Sequence, residues 1–590
     1  MQQSRKDRPA APMKFQHLVH RARNYVPIID VVARYRRKNL SHDIIAGLVL
    51  GVITVPQALA YGVLAGLPAQ AGLYASLVPT LLYTILGSSR QLSVGPAAMI
   101  SIMVAEAARV QAAPQSDAYF GVTAVICFEA GAMLWLLRVT QMSGIVNLLS
   151  HPVIAGFVNA AAILIILSQL TAFTGISAND GSPLTQVSHL ARDWAQFNPA
   201  TLAIGCGSLV LLWATHRYGF YLVLPFLRRV GRNHPITATG PMIVAIVTIA
   251  AVALFGLDHR YGVAVVGTIP AGLPALTWPP FDMRVWIDLV PAAAMIALVT
   301  YVTSYSIGAR LASKKNHRLD ANQELIALGA ADVACAFTGA VPIAGSFSRS
   351  SVNVTAGART SLSSLFSVAF IAATLLWLTP VFALLPTAAL AAIIIMSISD
   401  FIDFAPIYRH WAFYRHDSVT HVVTLAGVLL FGVERGLLAG ILVAIALLVR
   451  QSSKPHIAVI GRLGDTPHFR SVRRYETTTH PNVTAVRIDE NLYFANALII
   501  ENRLLRILER NPSTRHLLIA CSAINFIDTS GLEMLKRINR DLIRKDVRLH
   551  LADVKGPVMD QLRASDFADV MSGEIFFTTD QAMRDLAERS

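Results

Sequence analysis

"GAVPIAGSFSRSSVN", residues 339–353, interrupts a run of apolar segments with two glycines, a proline, four serines and an arginine. Backbone that leaves the helix cannot face lipid, because each unsatisfied amide there costs several kcal/mol, so this stretch must line protein or a water-filled cavity. A second break of the same kind, "SVGPAAMISIMVAEA" (93–107), sets Gly95 and Pro96 before a helix too short to cross a bilayer. Interrupted segments placed correspondingly in the two halves of a helical chain predict an inverted-repeat membrane fold, with a ligand site where the breaks meet.

The breaks also imply what the site binds. A helix that begins at such a break leaves its first amide N–H groups unpaired and carries about half a positive charge at that end. Two such ends facing one another favour an anion. Gly345 allows close approach of backbone and ligand, Ser346 and Ser348 add hydroxyl donors, and Arg349 adds a full positive charge near the midplane. Pairing of Arg349 with a buried acid such as Glu129 or Asp332 is the alternative use of that charge.

The chain around the breaks is a membrane chain. Of its 590 residues 54% are hydrophobic and 15% charged, and stretches long enough to span about 30 Å of hydrocarbon recur from Ile44 to Val449. The net charge of +14 resides in short loops between apolar segments, which argues for topology and against a nucleic-acid surface. Cationic loops stay in the cytoplasm. On that rule the chain has fourteen spans with both ends inside, and the breaks fall in the third and tenth, seven apart as a 7+7 repeat requires. Arg90, Arg138 and the stretches 216–234, 310–318 and 407–416 fall inside, whereas Arg109, Arg192, Arg260, Arg284 and Arg435 fall outside. The amino end through His42 carries ten Lys or Arg residues and no short apolar run with a cleavage site, so it reads as a cytoplasmic segment that is either flexible or lies on anionic lipid. Cys127, Cys206, Cys335 and Cys521 stand apart from one another, with neither disulfide nor metal spacing.

After Arg450 the composition changes to short alternating segments. "TAVRID", "NLYFAN", "RHLLIAC" and "VRLHLADV" read as strands; "LIIENRLLRILER", "GLEMLKRINRDLIRK" and "TDQAMRDLAER" read as helices. The expected organisation is a basic segment 1–40, a transmembrane region 41–451, a linker 452–482 and a cytoplasmic α/β domain 483–590.

Residues 56–96, "PQALAYGVLAGLPAQAGLYASLVPTLLYTILGSSRQLSVGP", and 320–360, "DANQELIALGAADVACAFTGAVPIAGSFSRSSVNVTAGART", resemble the signatures of the sulfate permease (SulP) family, the bacterial relatives of solute carrier family 26. "FIDTSGLEML" (526–535) is similar to the STAS module that this family carries. The resemblance implies a secondary anion transporter, with sulfate the leading substrate. It implies a core domain (spans 1–4 and 8–11) that moves against a gate domain (spans 5–7 and 12–14) in an elevator-like cycle. It also implies a homodimer in the inner (plasma) membrane with the STAS domain in the cytoplasm. Carried over position by position, Gln57 and Tyr61 face the anion, Ala97 and Ala98 begin the third helix, and Phe347, Ser348 and Arg349 begin the tenth. Gln57 and Tyr61 are four apart, hence on one helical face.

One departure bears on mechanism. Proton-coupled members tend to carry a glutamate in the eighth span where this chain reads "TSYSIG", with Thr303 in its place, and the aspartate of sodium-linked bicarbonate members is replaced by Val299. Glu129 is then the proton-coupling candidate among the remaining membrane carboxyls. Ser530 matches the position phosphorylated in antagonist proteins similar to the STAS module, and with Glu533 three residues on it also reads as a capping box. No catalytic constellation stands out and no phosphate-cradling loop of the Walker type is present, so ATP hydrolysis and enzyme activity are not expected, and no cofactor or metal is expected either. Uncoupled exchange or conduction, bicarbonate or dicarboxylate transport, and an anion sensor that signals through the STAS domain to a cytoplasmic partner remain open as alternatives.

Overall fold

The computed structural model describes residues 26–142, 144, 150–176, 192, 196–218, 240–313, 318–399 and 401–589. Residues 1–25 of the basic amino end, 219–234 of the long basic loop and 314–317 of the stretch 310–318 lie outside the described residues. The chain divides into two compact units, Met1–Ile441 and Leu442–Ser590.

Among the described residues of the first unit, six helices are long and apolar enough to cross a membrane: Arg37–Leu64, Ala69–Leu86, Asp117–Val139, His151–Thr174, Met283–Ser313 and Leu362–Phe382. Shorter apolar helices cover Pro199–Thr215, Gly240–Phe255 and Thr387–Ser399. Lipid supplies no hydrophobic drive between helices, so close approach depends on small residues. Gly51 of Arg37–Leu64 admits the Phe370 ring, where an added Cβ would stand 2.7 Å from ring carbon Cδ1. Gly131 and Gly329 meet where Asp117–Val139 crosses Ala321–Thr338, and a Cβ on Gly131 would lie 2.6 Å from the Gly329 carbonyl oxygen.

The two breaks in the helical pattern form short strands. Strands β1 (Val94–Pro96) and β2 (Ile343–Gly345) pair antiparallel, with Val94 opposite Gly345, Gly95 opposite Ala344 and Pro96 opposite Ile343. Each strand thereby meets the backbone hydrogen-bonding need that its interrupted helix no longer meets. Helix Ala98–Gln111 follows β1 and helix Phe347–Thr355 follows β2. Antiparallel pairing sends them away from the ribbon in opposite directions, as segments of inverted topology require.

The second unit is an α/β domain. Strands β3 (Ile457–Arg462), β4 (Phe469–Ser471), β5 (Val483–Ile488), β6 (His516–Ala520), β7 (Arg548–Ala552) and β8 (Ile575–Phe576) form one sheet in the order β4-β3-β5-β6-β7-β8. β3 is antiparallel to both its neighbours, and β5 through β8 run parallel. Ile500, Leu504, Met534, Ile538 and Leu542 bring two helices onto one face, whereas Ala582, Met583 and Leu586 of the last helix pack against the other.

Two sequence expectations need correction here. The segment 452–482 is more than a linker, because β3 and β4 lie within it and β3 pairs with β5 through Ile457–Ile488, Ala458–Arg487 and Val459–Val486. Four residues separate β3 from the end of helix Val433–Ser452 and β4 has only three residues, so neither separates by pattern from the connecting chain. "NLYFAN" forms no strand: Leu492 makes a single bridge to Ile527, and side chains take the neighbouring backbone donors. Asp528 accepts from the Phe494 amide (2.8 Å) and Asn496 accepts from the Tyr493 amide (3.1 Å), which is local competition with ladder pairing.

Candidate functional site

The ribbon is built around Arg349. Ser346 closes the start of helix Phe347–Thr355 as its N-cap, its hydroxyl accepting from the Arg349 amide (3.4 Å), while the Ser346 amide donates to the Ser93 carbonyl oxygen (3.0 Å). The Ser350 hydroxyl accepts from the Ser93 amide at 2.9 Å, so the second half-helix holds both sides of Ser93. From this turn the Arg349 side chain runs back under β1. Its Nη1 donates to the Pro96 carbonyl oxygen at 2.9 Å, and its Nη2 lies where a Cβ on Gly95 would stand 3.2 Å away. The absent side chain at Gly95 is what leaves room for the guanidinium.

Arg349 is 1% exposed, and its Nε and Nη2 have no hydrogen-bond partner. No acid pairs with it among the described residues: the Asp332 Oδ1 atom instead accepts from the Ile343 amide (2.9 Å), at the head of β2. Unshared guanidinium donors and two helix amino ends therefore meet at one ribbon, an arrangement that stabilises a bound anion by charge and by directed hydrogen bonds.

The structure brings several sequence candidates together here. Ala97 is the N-cap of helix Ala98–Gln111, and Ala98 is its first residue. Phe347 and Ser348 are exposed at the opening of the other helix, with Arg349 buried directly behind them. Tyr61 is buried in helix Arg37–Leu64, close enough to the Arg349 guanidinium to interact with it electrostatically. Gln57 is buried one turn before it on the same helix.

Other candidates lie differently from expectation. A Cβ on Gly345 would stand 3.0 Å from both Leu92 Cδ1 and Ser304 Cα of helix Met283–Ser313, and the Gly345 amide donates to the Ser304 hydroxyl at 2.8 Å. Thr303, beside it, is half-buried and turns its hydroxyl onto its own helix at the Val299 carbonyl (2.7 Å). Glu129 stands apart in Asp117–Val139, 7% exposed, with its Oε2 unpartnered and no cation paired to it among the described residues. Ser304 and Ser350 are the positioning residues that sequence reasoning missed. A serine that accepts a backbone bond inside a membrane helix has no spacing signature, although both stand beside residues already singled out.

In the second unit, Ser530 does not cap its helix. Helix Thr529–Arg544 has Asp528 as N-cap, the carboxylate accepting from the Gly531 amide (2.8 Å), and Ser530 sits exposed in the first turn. The capping-box reading fails because a carboxylate two residues earlier takes that role. The hydroxyl is left open to solvent at a helix amino end, where negative charge is favoured.

Residues 40–424 match the model of the sulfate permease family and residues 474–582 that of the STAS domain. A probable sulfate transporter 4.2 of Arabidopsis thaliana is 33% identical over 91% of this chain and 79% of its own length. The chloroplastic sulfate transporter 4.1 of the same plant is 32% identical over 96% of this chain and 83% of its own. Murine solute carrier 26 family member A9, an anion transporter solved in the inward-facing state, superposes with a TM-score of 0.87 at 23% identity, covering 99% of this chain and 97% of that one, which is likeness of fold. A half-helix ribbon in a helical membrane unit, joined to a STAS domain and matched along most of its length, places the chain in one family: it belongs to the sulfate permease family.

Proposed function

We propose that the protein is a secondary transporter that binds a small anion between the amino ends of Ala98–Gln111 and Phe347–Thr355, with sulfate as its substrate. The observation that carries this reading is Arg349, fully buried at the ribbon with Nε and Nη2 unshared. Relatives named as sulfate transporters support the choice of anion. Transport follows alternating access in fourteen spans with both termini cytoplasmic, as a homodimer in the plasma membrane.

The decisive measurement is uptake of labelled sulfate into proteoliposomes, with bicarbonate, chloride, oxalate and fumarate as competitors, with and without an inward proton gradient. Saturable sulfate uptake supports the reading, and competition by another anion alone replaces sulfate with that anion. A second reading, uncoupled exchange, is favoured by Thr303, whose hydroxyl is spent on its own helix where proton-coupled relatives tend to carry a glutamate. Uptake that ignores the gradient and requires internal anion selects it. Glu129 is the carboxyl to replace with Gln if the gradient does drive uptake.

A further inference from the structure

Helix Met283–Ser313 presents two different polar faces. Ser304 is buried and serves the Gly345 amide. Thr303, Ser306 and Arg310 occupy another face at i, i+3 and i+7, a line about 10 Å long. Thr303 is half-buried, and Ser306 and Arg310 are exposed. Hydroxyls and a guanidinium on a spanning helix face a water-filled cavity or the bundle interior far more readily than lipid.

The contact made by Arg310 shows which space this face shares. Its guanidinium carbon lies 6.0 Å from the centroid of the Phe347 ring, at cation–π range. Phe347 is the first residue of the second half-helix, 42% exposed, with exposed Ser348 next to it and Arg349 buried behind. The polar face therefore opens onto the same space as the amino end that carries Arg349.

We propose that Thr303, Ser306 and Arg310 line the path by which the anion reaches Arg349, with Arg310, held over Phe347, as the capturing cation at the mouth. The proposal rests on the anion-transport reading above and names one route to that site. A cation that merely fixed membrane topology would have no need of contact with a residue at the helix start.

The test uses full-length protein in proteoliposomes of known orientation, with sulfate as the probe. Arg310→Gln is expected to raise the KM for sulfate about three- to fivefold from the face bearing Arg310, as loss of an exposed cation contact implies. The opposite face should keep its KM and kcat should change little; Arg310→Lys should restore most of the loss, and added salt should shrink the difference. A second readout needs no transport. In a Cys206→Ser background, Ser306→Cys should react with a membrane-impermeant thiol reagent from that face alone, and sulfate should slow the reaction. An unchanged KM in Arg310→Gln, or no modification of Ser306→Cys from either face, overturns the proposal. Sulfate-protected labelling in a protein that takes up no anion would instead sink the transport reading and leave the path standing.

Discussion

Arg349 carries its charge at 1% exposure on a single hydrogen bond to Pro96. A guanidinium taken out of water costs several kcal/mol unless its donors are shared, so a ligand that shares them gains what the fold leaves unmet. Arg349→Gln is expected to abolish sulfate uptake while the purified protein still elutes as a folded species. Arg349→Lys should fail to rescue, because a point-charge ammonium lacks the planar fork that reaches both Pro96 and a bound oxyanion. Gly95→Val tests the same pocket from the other strand. Its side chain would occupy the space 3.2 Å from Nη2, push the guanidinium aside and raise the KM for sulfate well before it lowers protein yield. Retention of normal affinity in Gly95→Val would mean that the position of Arg349 is not critical.

The ribbon and the STAS helix both depend on side chains that take backbone donors. Ser304→Ala leaves the Gly345 amide without its acceptor, a loss of about 1–3 kcal/mol for a buried donor. Thermal unfolding of the detergent-purified protein should show it as a lower midpoint, and uptake should fall along with it. Asp528→Ala removes both the cap on Thr529–Arg544 and the acceptor for the Phe494 amide, costing about 1–2 kcal/mol. Hydrogen exchange should speed up in that helix, while the uptake rate of the surviving protein stays close to normal. Both effects belong to elements: the residue lost touches no ligand, and what changes is whether a turn holds its shape.

In the molecule as a whole, low pH is expected to weaken the carboxy-terminal unit through His550. His550 of β7 is pushed down to about 4 by burial and by the neighbouring His516, whose own pKa burial also lowers. The Glu574 amide donates to His550 Nδ1 (3.0 Å) and so favours the neutral ring. A histidine with a folded pKa below its unfolded value stabilises the fold fully above about pH 6.5 and loses that contribution as pH falls toward about 4. Thermal unfolding followed by hydrogen exchange in β6 and β7 should show progressive destabilisation over that window. A unit equally stable at both ends of it would contradict the assignment. His550→Gln, which cannot titrate, should flatten the limb.

The sequence by itself determined that this is a helical membrane chain with two interrupted segments and an α/β end. Lipid forces long apolar runs into helices and forbids unpaired backbone, so Gly95, Pro96, Gly345 and the serines around Arg349 could not be hidden. The long helices of the carboxy-terminal unit are legible from their apolar period, and the parallel strands are legible because they alternate with those helices. β3, separated by four residues from helix Val433–Ser452, and the three-residue β4 read as linker, and "NLYFAN" reads as a strand although Asp528 and Asn496 take its backbone donors. Only the tertiary structure decided how Arg349 is held, that Ser304 and Ser350 position the ribbon, that Glu129 stands apart from it, and that Arg310 meets Phe347. Those facts depend on contacts between residues far apart in the chain, and local pattern carries the period of a segment without naming the partner across the fold.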